Sequence, residues 1–360
     1  MSRIAVILVR QAALAAVVFM SITAALAQAP APAAKAPAAA ASKGYTAPRT
    51  PDGQPDLQGI WSSATVTPLE RPAEFANKEF LTPAEVVEYE RAARDRNNQD
   101  NRSKDRTTDV ASAYNDAWWD RGTKVVKTRR TSLVVDPPNG RLPARTPEAL
   151  AKLSASMEVQ RTKCRTAACS EGTLSAADGP EDRPPGERCI VWGSSVPPMM
   201  PSAYNNNYQI VQTAGYVAIL IEMIHDVRII PIDGTPHMPS KVRTWLGDSR
   251  GHWEGDTLVV ETTNFNGQAA KEYDTSFKNA SKNYRLVERF TRTDAETLTY
   301  RYTVEDPQTF TRPFTAELPL ARSSEPLYEY ACHEGNYGMT GLLEGAREIE
   351  KARELEKNKK

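Results

Sequence analysis

From Tyr208 to Ala331 the chain is a succession of short segments rich in β-branched and aromatic residues, separated by turn residues and almost devoid of helical periodicity. The segments are Tyr208–Thr213, Tyr216–Ile224, Val227–Ile232, Thr257–Phe265, Tyr284–Arg292, Thr297–Val304, Thr309–Leu320 and Leu327–Ala331. Parallel strands need crossover connections of a dozen or more residues, and the spacers here are mostly too short for them. The pattern therefore predicts a mainly β fold: an antiparallel up-and-down meander closed into a barrel or a strongly curved sheet. Tyr216–Ile224 is nearly all apolar and reads as a strand buried on both faces. Asp233–Gly234 reads as a hairpin-type turn, Asn266–Gly267 ends the Thr257–Phe265 strand, and Gly251–Asp256, with Trp253, reads as a turn region.

Helices are peripheral to this plan. Thr82, Pro83 and Glu85 make a capping box ahead of a helix reaching about Arg96, and Thr146–Pro147 starts another. Leu342, Leu343, Ala346 and Ile349 form an apolar stripe on a charged C-terminal helix over 342–360. The expected organisation is 45–186 as strands, two helices and long loops packed on the barrel, and 187–341 as the β domain.

The first 27 residues read as a cleaved export signal. Arg3 and Arg10 precede an apolar stretch that ends at Ala25–Leu26–Ala27. Residues 28–44 are an Ala/Pro-rich linker. The expected location is periplasmic or secreted, with no transmembrane segment after signal cleavage. Lys plus Arg equals Asp plus Glu, at 45 each, so no basic excess suggests a nucleic-acid partner.

Four cysteines in an exported chain are expected to pair, and four allow three connectivities. The preferred pattern is Cys164 with Cys169, closing a short loop, and Cys189 with Cys332, a long-range staple.

Candidate chemistry gathers in three places. Glu222, Asp226 and Arg228 stand where one apolar strand turns into the next. Their charges need partners, either each other or Glu261, Glu288 and Arg301 from neighbouring strands, or else they line a pocket. His225 and His333 come together if the meander closes. With Asp226 or Glu334 they suit a divalent metal or general acid–base work, and the alternative is a histidine bonded within a turn. Aromatic residues, among them Tyr208 and Trp253, suit a flat or apolar small ligand, the alternative being ordinary core. The chain has no HExxH, GxGxxG, P-loop or Gly-x-Ser-x-Gly, and Cys332–His333 lacks the preceding Cys of a haem-attachment motif.

Pro51–Trp61, Glu187–Ile190, Tyr204–Ile210, Glu222–Asp226, Trp253–Phe265 and Tyr330–Asn336 together resemble a large group of uncharacterised exported bacterial proteins. The resemblance implies a bacterial, periplasmic setting and carries no activity with it. The strand pattern is also similar in architecture to lipocalin-like barrels, an analogy of fold alone. The leading expectation is a protein that binds a small apolar or aromatic molecule in a β-barrel pocket. The alternatives are an enzyme using that pocket, with His225, His333 and Glu334 as catalytic or metal-binding groups, and a structural or envelope-interaction protein.

Overall fold

The computed structural model describes residues 44–98, 100–101, 116–166, 177–268 and 280–359. The expected leader, nearly all of the Ala/Pro segment and the Cys164–Cys169 pairing lie outside what these residues describe. The strands are β1 (Gly59–Ser62), β2 (Val134–Asp136), β3 (Asn207–Gln212), β4 (Tyr216–Ile221), β5 (Val227–Pro231), β6 (Asp248–Glu254), β7 (Thr257–Thr263), β8 (Arg285–Asp294), β9 (Thr297–Glu305) and β10 (Phe314–Ser323). The α-helices are α1 (Pro83–Asn97), α2 (Pro147–Thr166) and α3 (Tyr337–Lys357). Helix α1 carries the expected capping box between Thr82 and Glu85. Asn336 caps α3 by accepting from Met339 N.

The strands form one antiparallel sheet in the order β5-β4-β3-β1-β10-β9-β8-β7-β6, with β2 pairing on β10. β1 sits between β3 and β10, so the sheet takes strands from both the 45–186 and the 187–341 segments. Period-two alternation turns one side of every strand inward. Trp61, Tyr208, Phe290, Tyr300, Tyr302 and Phe314 are fully buried there. Trp61 could not be buried cheaply without a partner for its indole N–H, and Nε1 donates to Leu57 O at 2.9 Å.

The path holds nine strands and every adjacent pair is antiparallel. An odd number makes the end strands, β5 and β6, run in the same direction. They lie side by side at a seam. Arg228 of β5 bonds Ser249 of β6, and a Cβ placed on Gly251 of β6 would stand 3.0 Å from Ile230 Cγ2 and 2.8 Å from Ile232 Cγ2. Arg228–Ser249 and Ile230–Gly251 share one sequence offset of 21 residues, as parallel neighbours require. Among the described residues no ladder joins β5 to β6. The sheet is curled, with its two edges brought together by side chains, and is not closed by hydrogen bonds.

Four local expectations are corrected. The turn expected over 251–256 is confined to Gly255–Asp256, and residues 248–254 form β6, because Ser249, Gly251 and Trp253 face inward and ladder pairing with β7 overrides the poor strand propensity of Gly, Asp and Glu. β4 is half-exposed and not buried on both faces, and it ends at Ile221. Asp233–Gly234 is not a hairpin, since β5 reaches β6 through residues 232–247. Residues 327–331 are irregular and not a strand.

Candidate functional site

Alternation along β5 sends Arg228 into the interior. It is 3% exposed and meets Glu288, which is fully buried. The pair is bidentate, with Nη1 donating to Oε1 at 3.0 Å and Nη2 to Oε2 at 2.6 Å. Nη2 also reaches Ser249 Oγ and Thr262 Oγ1, each at 3.3 Å. Tyr300 OH donates to Glu288 Oε1 at 2.7 Å, and burial together with that carboxylate holds the phenol well above its usual range. Of the residues expected either to line a pocket or to pair, Arg228 and Glu288 therefore pair with each other. Tyr208 is buried and donates to Ser194 O at 3.2 Å. Trp253 packs on the edge of the core.

Glu222 is also buried, but it serves the backbone. It accepts from Asn207 Nδ2 at 2.9 Å, from Asn207 N at 3.3 Å and from Tyr328 N at 3.3 Å. Glu261 lies apart on the outer face. It binds Arg285, which holds its carboxyl below the usual range, and stands 3.7 Å from His237 Nε2.

The turn from β4 to β5 is strained. Ile224 has φ 64° and ψ 5°, and His225 has φ 49°. Left-handed backbone costs a non-glycine residue roughly 1–2 kcal/mol, and a β-branched residue there is an outlier. Burial of Ile224 and the ties of Glu222 hold the turn in place. His225 Nδ1 lies 3.1 Å from Tyr330 O. A carbonyl only accepts, so Nδ1 carries the proton and Nε2 of the neutral ring is an acceptor. Asp226 is half-buried, and its Oδ2 is sealed from solvent without a hydrogen bond among the described residues. Burial pushes its carboxyl up to about 6, against a smaller opposing effect of His225.

Residues 328–336 run over this turn as a strap. Tyr328 N is tied to Glu222, Tyr330 O to His225, and Cys332 to Cys189 by the expected disulfide, with Cα atoms 5.7 Å apart. Asn336 Nδ2 donates to Glu187 O at 2.8 Å. Tyr330 stacks on Tyr204 at 6.4 Å, and Tyr204 in turn meets Trp192 and Trp119. His333 and Glu334 stand exposed beyond the disulfide. Among the described residues no group of three or more His, Cys, Asp or Glu side chains is arranged to hold a metal ion. The metal set expected from His225, His333 and Glu334 is thus not assembled there: Nδ1 of His225 is taken by a carbonyl, and the other two face solvent.

Beside the seam lies a groove of about 390 Å³. Its walls include Val227 and Ile229 of β5, Met238, Trp245 and Leu246 of the segment leading into β6, and Asp248. Asp248 is spoken for: Oδ2 lies 2.9 Å from His237 Nδ1 and accepts from Met238 N at 2.8 Å, and Oδ1 takes Arg250 Nη1 at 2.6 Å. Of the groove residues, Arg228 and Trp245 stand out in the sequence, as a charge in an apolar strand and as an aromatic; Met238, Leu246 and Asp248, and with Asp248 the pair it makes with His237, do not, because they lie in or beside a segment full of loop residues. Comparison of the chain with protein-family models, with curated proteins and with solved structures returns no match.

Proposed function

We propose that the protein is an exported binder of a small apolar or aromatic molecule, which it holds in the groove beside the β5–β6 seam. The observation that carries this reading is the apolar wall of Val227, Ile229, Met238, Trp245 and Leu246 around about 390 Å³. Ligand pockets are mostly apolar and enclose roughly 300–1,000 Å³. In this reading the sheet works as a barrel whose seam is closed by side chains, and the charged pair beneath the groove keeps β5 in place. The Cys189–Cys332 disulfide is compatible with export, because such bonds persist in oxidising compartments.

Titration with a neutral apolar fluorophore, N-phenyl-1-naphthylamine, tests the reading. Saturable binding at one site is expected, weakened at least tenfold by Trp245→Ala and by Ile229→Ser. Affinity unchanged in both variants, or no saturable binding, rejects the groove.

A second reading, docking of a partner protein, has one observation behind it. Val211, Tyr216, Val227 and Ile229 are each 45–55% exposed on the outer face of β3, β4 and β5, and Val211, Ala218 and Ile229 form one cross-strand row. Contiguous exposed apolar surface marks interaction sites. Sedimentation showing association that Ile229→Lys abolishes, with no fluorophore binding, would favour it.

A further inference from the structure

We infer that the strained turn between β4 and β5 is an acid–base site acting on an enolisable carbonyl compound, with His225 Nε2 as the base and the Asp226 carboxyl as the acid. The inference rests on the groove reading for where the apolar body of the substrate lies. Val227, the residue after Asp226, is already in the groove wall.

Three features converge on this turn. The first is conformational: Ile224 and His225 occupy left-handed backbone in succession, and strain of this kind is retained where the surroundings over-determine it, commonly at functional sites. The second is the imidazole. Its ring is exposed, and the bond to Tyr330 O fixes the tautomer that leaves Nε2 an open acceptor. The strap that supplies this carbonyl is anchored on both sides of it, by Glu222 at Tyr328 and by the disulfide at Cys332. The third is Asp226, half-buried with one oxygen sealed and unbonded, a setting that favours the neutral acid. With its carboxyl pushed up to about 6, it still holds a proton in mildly acidic solution, close enough to His225 to feel its charge. Catalytic acids and bases work best with pKa values near the working pH.

The chemistry balances without a cofactor. Nε2 takes a proton from the carbon next to the carbonyl. The C–H electron pair becomes the new C=C bond as the carbonyl π pair moves onto oxygen, and that oxygen takes the proton of Asp226. The reverse step returns a proton to carbon and regenerates both groups. Solvent exchange on His225 in between leaves an isotopic label in the product.

The test uses the intact protein in D2O with 1-indanone as the probe. Deuterium incorporation at its C2 is followed by NMR, and occupancy of the groove by displacement of N-phenyl-1-naphthylamine. The native protein is expected to accelerate exchange at least tenfold over buffer. Asp226→Asn and His225→Gly should lose that acceleration while keeping the displacement constant and the near-ultraviolet circular dichroism. Glycine suits the left-handed position, and added imidazole should restore part of the exchange in His225→Gly, a rescue that a structural role does not give. Exchange at the buffer rate with 1-indanone bound overturns the acid–base site and leaves the groove standing. Full acceleration in both variants also overturns it. Absence of both binding and exchange overturns site and groove together.

Discussion

Arg228 of β5 and Glu288 of β8 form a bidentate ion pair, at 3.0 and 2.6 Å, although five strands separate them along the ladder. The pair crosses the interior of the curled sheet, and through Ser249 and Thr262 it also ties β5 to β6 and β7. It does part of the work that backbone hydrogen bonds do elsewhere in the sheet. Glu288→Gln leaves a buried guanidinium without its counter-charge and is expected to cost about 3–5 kcal/mol in urea unfolding. The double change Arg228→Met with Glu288→Leu removes both charges at similar volume and should recover much of that loss. A cost under about 1 kcal/mol for Glu288→Gln would show that the pair does not hold the seam.

The other half of the seam is steric. Gly251 leaves room for the methyl groups of Ile230 and Ile232, which a Cβ would meet at 3.0 and 2.8 Å. Gly251→Ala should therefore cost about 1–3 kcal/mol by overpacking, and Gly251→Val more. Gly255, in the turn after β6, has nothing near its missing Cβ but sits at φ 59°, so Gly255→Asn, which tolerates that backbone, is the control and should be near neutral. Thermal unfolding of the three variants decides. Equal midpoints for Gly251→Ala and the native protein would mean that β5 and β6 stand further apart than the contact implies.

Cys189 and Cys332 close a sequence separation of 143 residues. On the chain-entropy account a loop of that length stabilises by about 5 kcal/mol, and measured values for native bridges fall at about 2–5. Replacing both cysteines by alanine is expected to lower stability by about 3–5 kcal/mol. Hydrogen exchange should rise first at the amides of residues 328–336, because the strap then rests on its hydrogen bonds to Glu222, His225 and the 187 carbonyl and on the Tyr330–Tyr204 stack. Uniform loosening of the whole sheet, with no early opening of the strap, would contradict this anchoring role.

What the sequence shows and what it hides divide along physical lines. Period-two patterning exposed β3, β5, β7, β8 and β9 within a residue or two, because each presents one apolar face to the core. The capping box exposed α1, and elimination among four cysteines exposed the Cys189–Cys332 staple. β6 was hidden because Asp, Gly, His and Glu within it read as turn chemistry until the partner strand is in place. The seam was hidden for a topological reason: β1, far upstream, inserts between β3 and β10, and that insertion sets the strand parity. Glu288 and Arg228 were visible as charges in apolar strands, but their pairing depends on curling that no local pattern records. The groove was hidden because it is made by an outer strand face and an irregular segment, neither of which carries a periodic signal.

Asp226 gives the site a pH signature. Its carboxyl is pushed from the ordinary 3.8 up to about 6 in the folded protein, mainly by burial. Below pH 3.8 both states are protonated and the group has no effect on the balance. Between 3.8 and 6 the unfolded chain releases its proton first, so native stability falls as pH rises, and above 6 the whole penalty persists. A shift of two units corresponds to about 3 kcal/mol, but the side chain is only half-buried, and solvent screening reduces this to about 1 kcal/mol. Asp226→Asn removes the penalty. It is expected to be more stable than the native protein by about 1 kcal/mol at pH 7.5, with the advantage shrinking to nothing near pH 4. Thermal unfolding of the two proteins across that range checks the sign. An advantage that grows on acidification would mean that Asp226 is held as a carboxylate by a partner, and the acid role assigned to it would fall with that result.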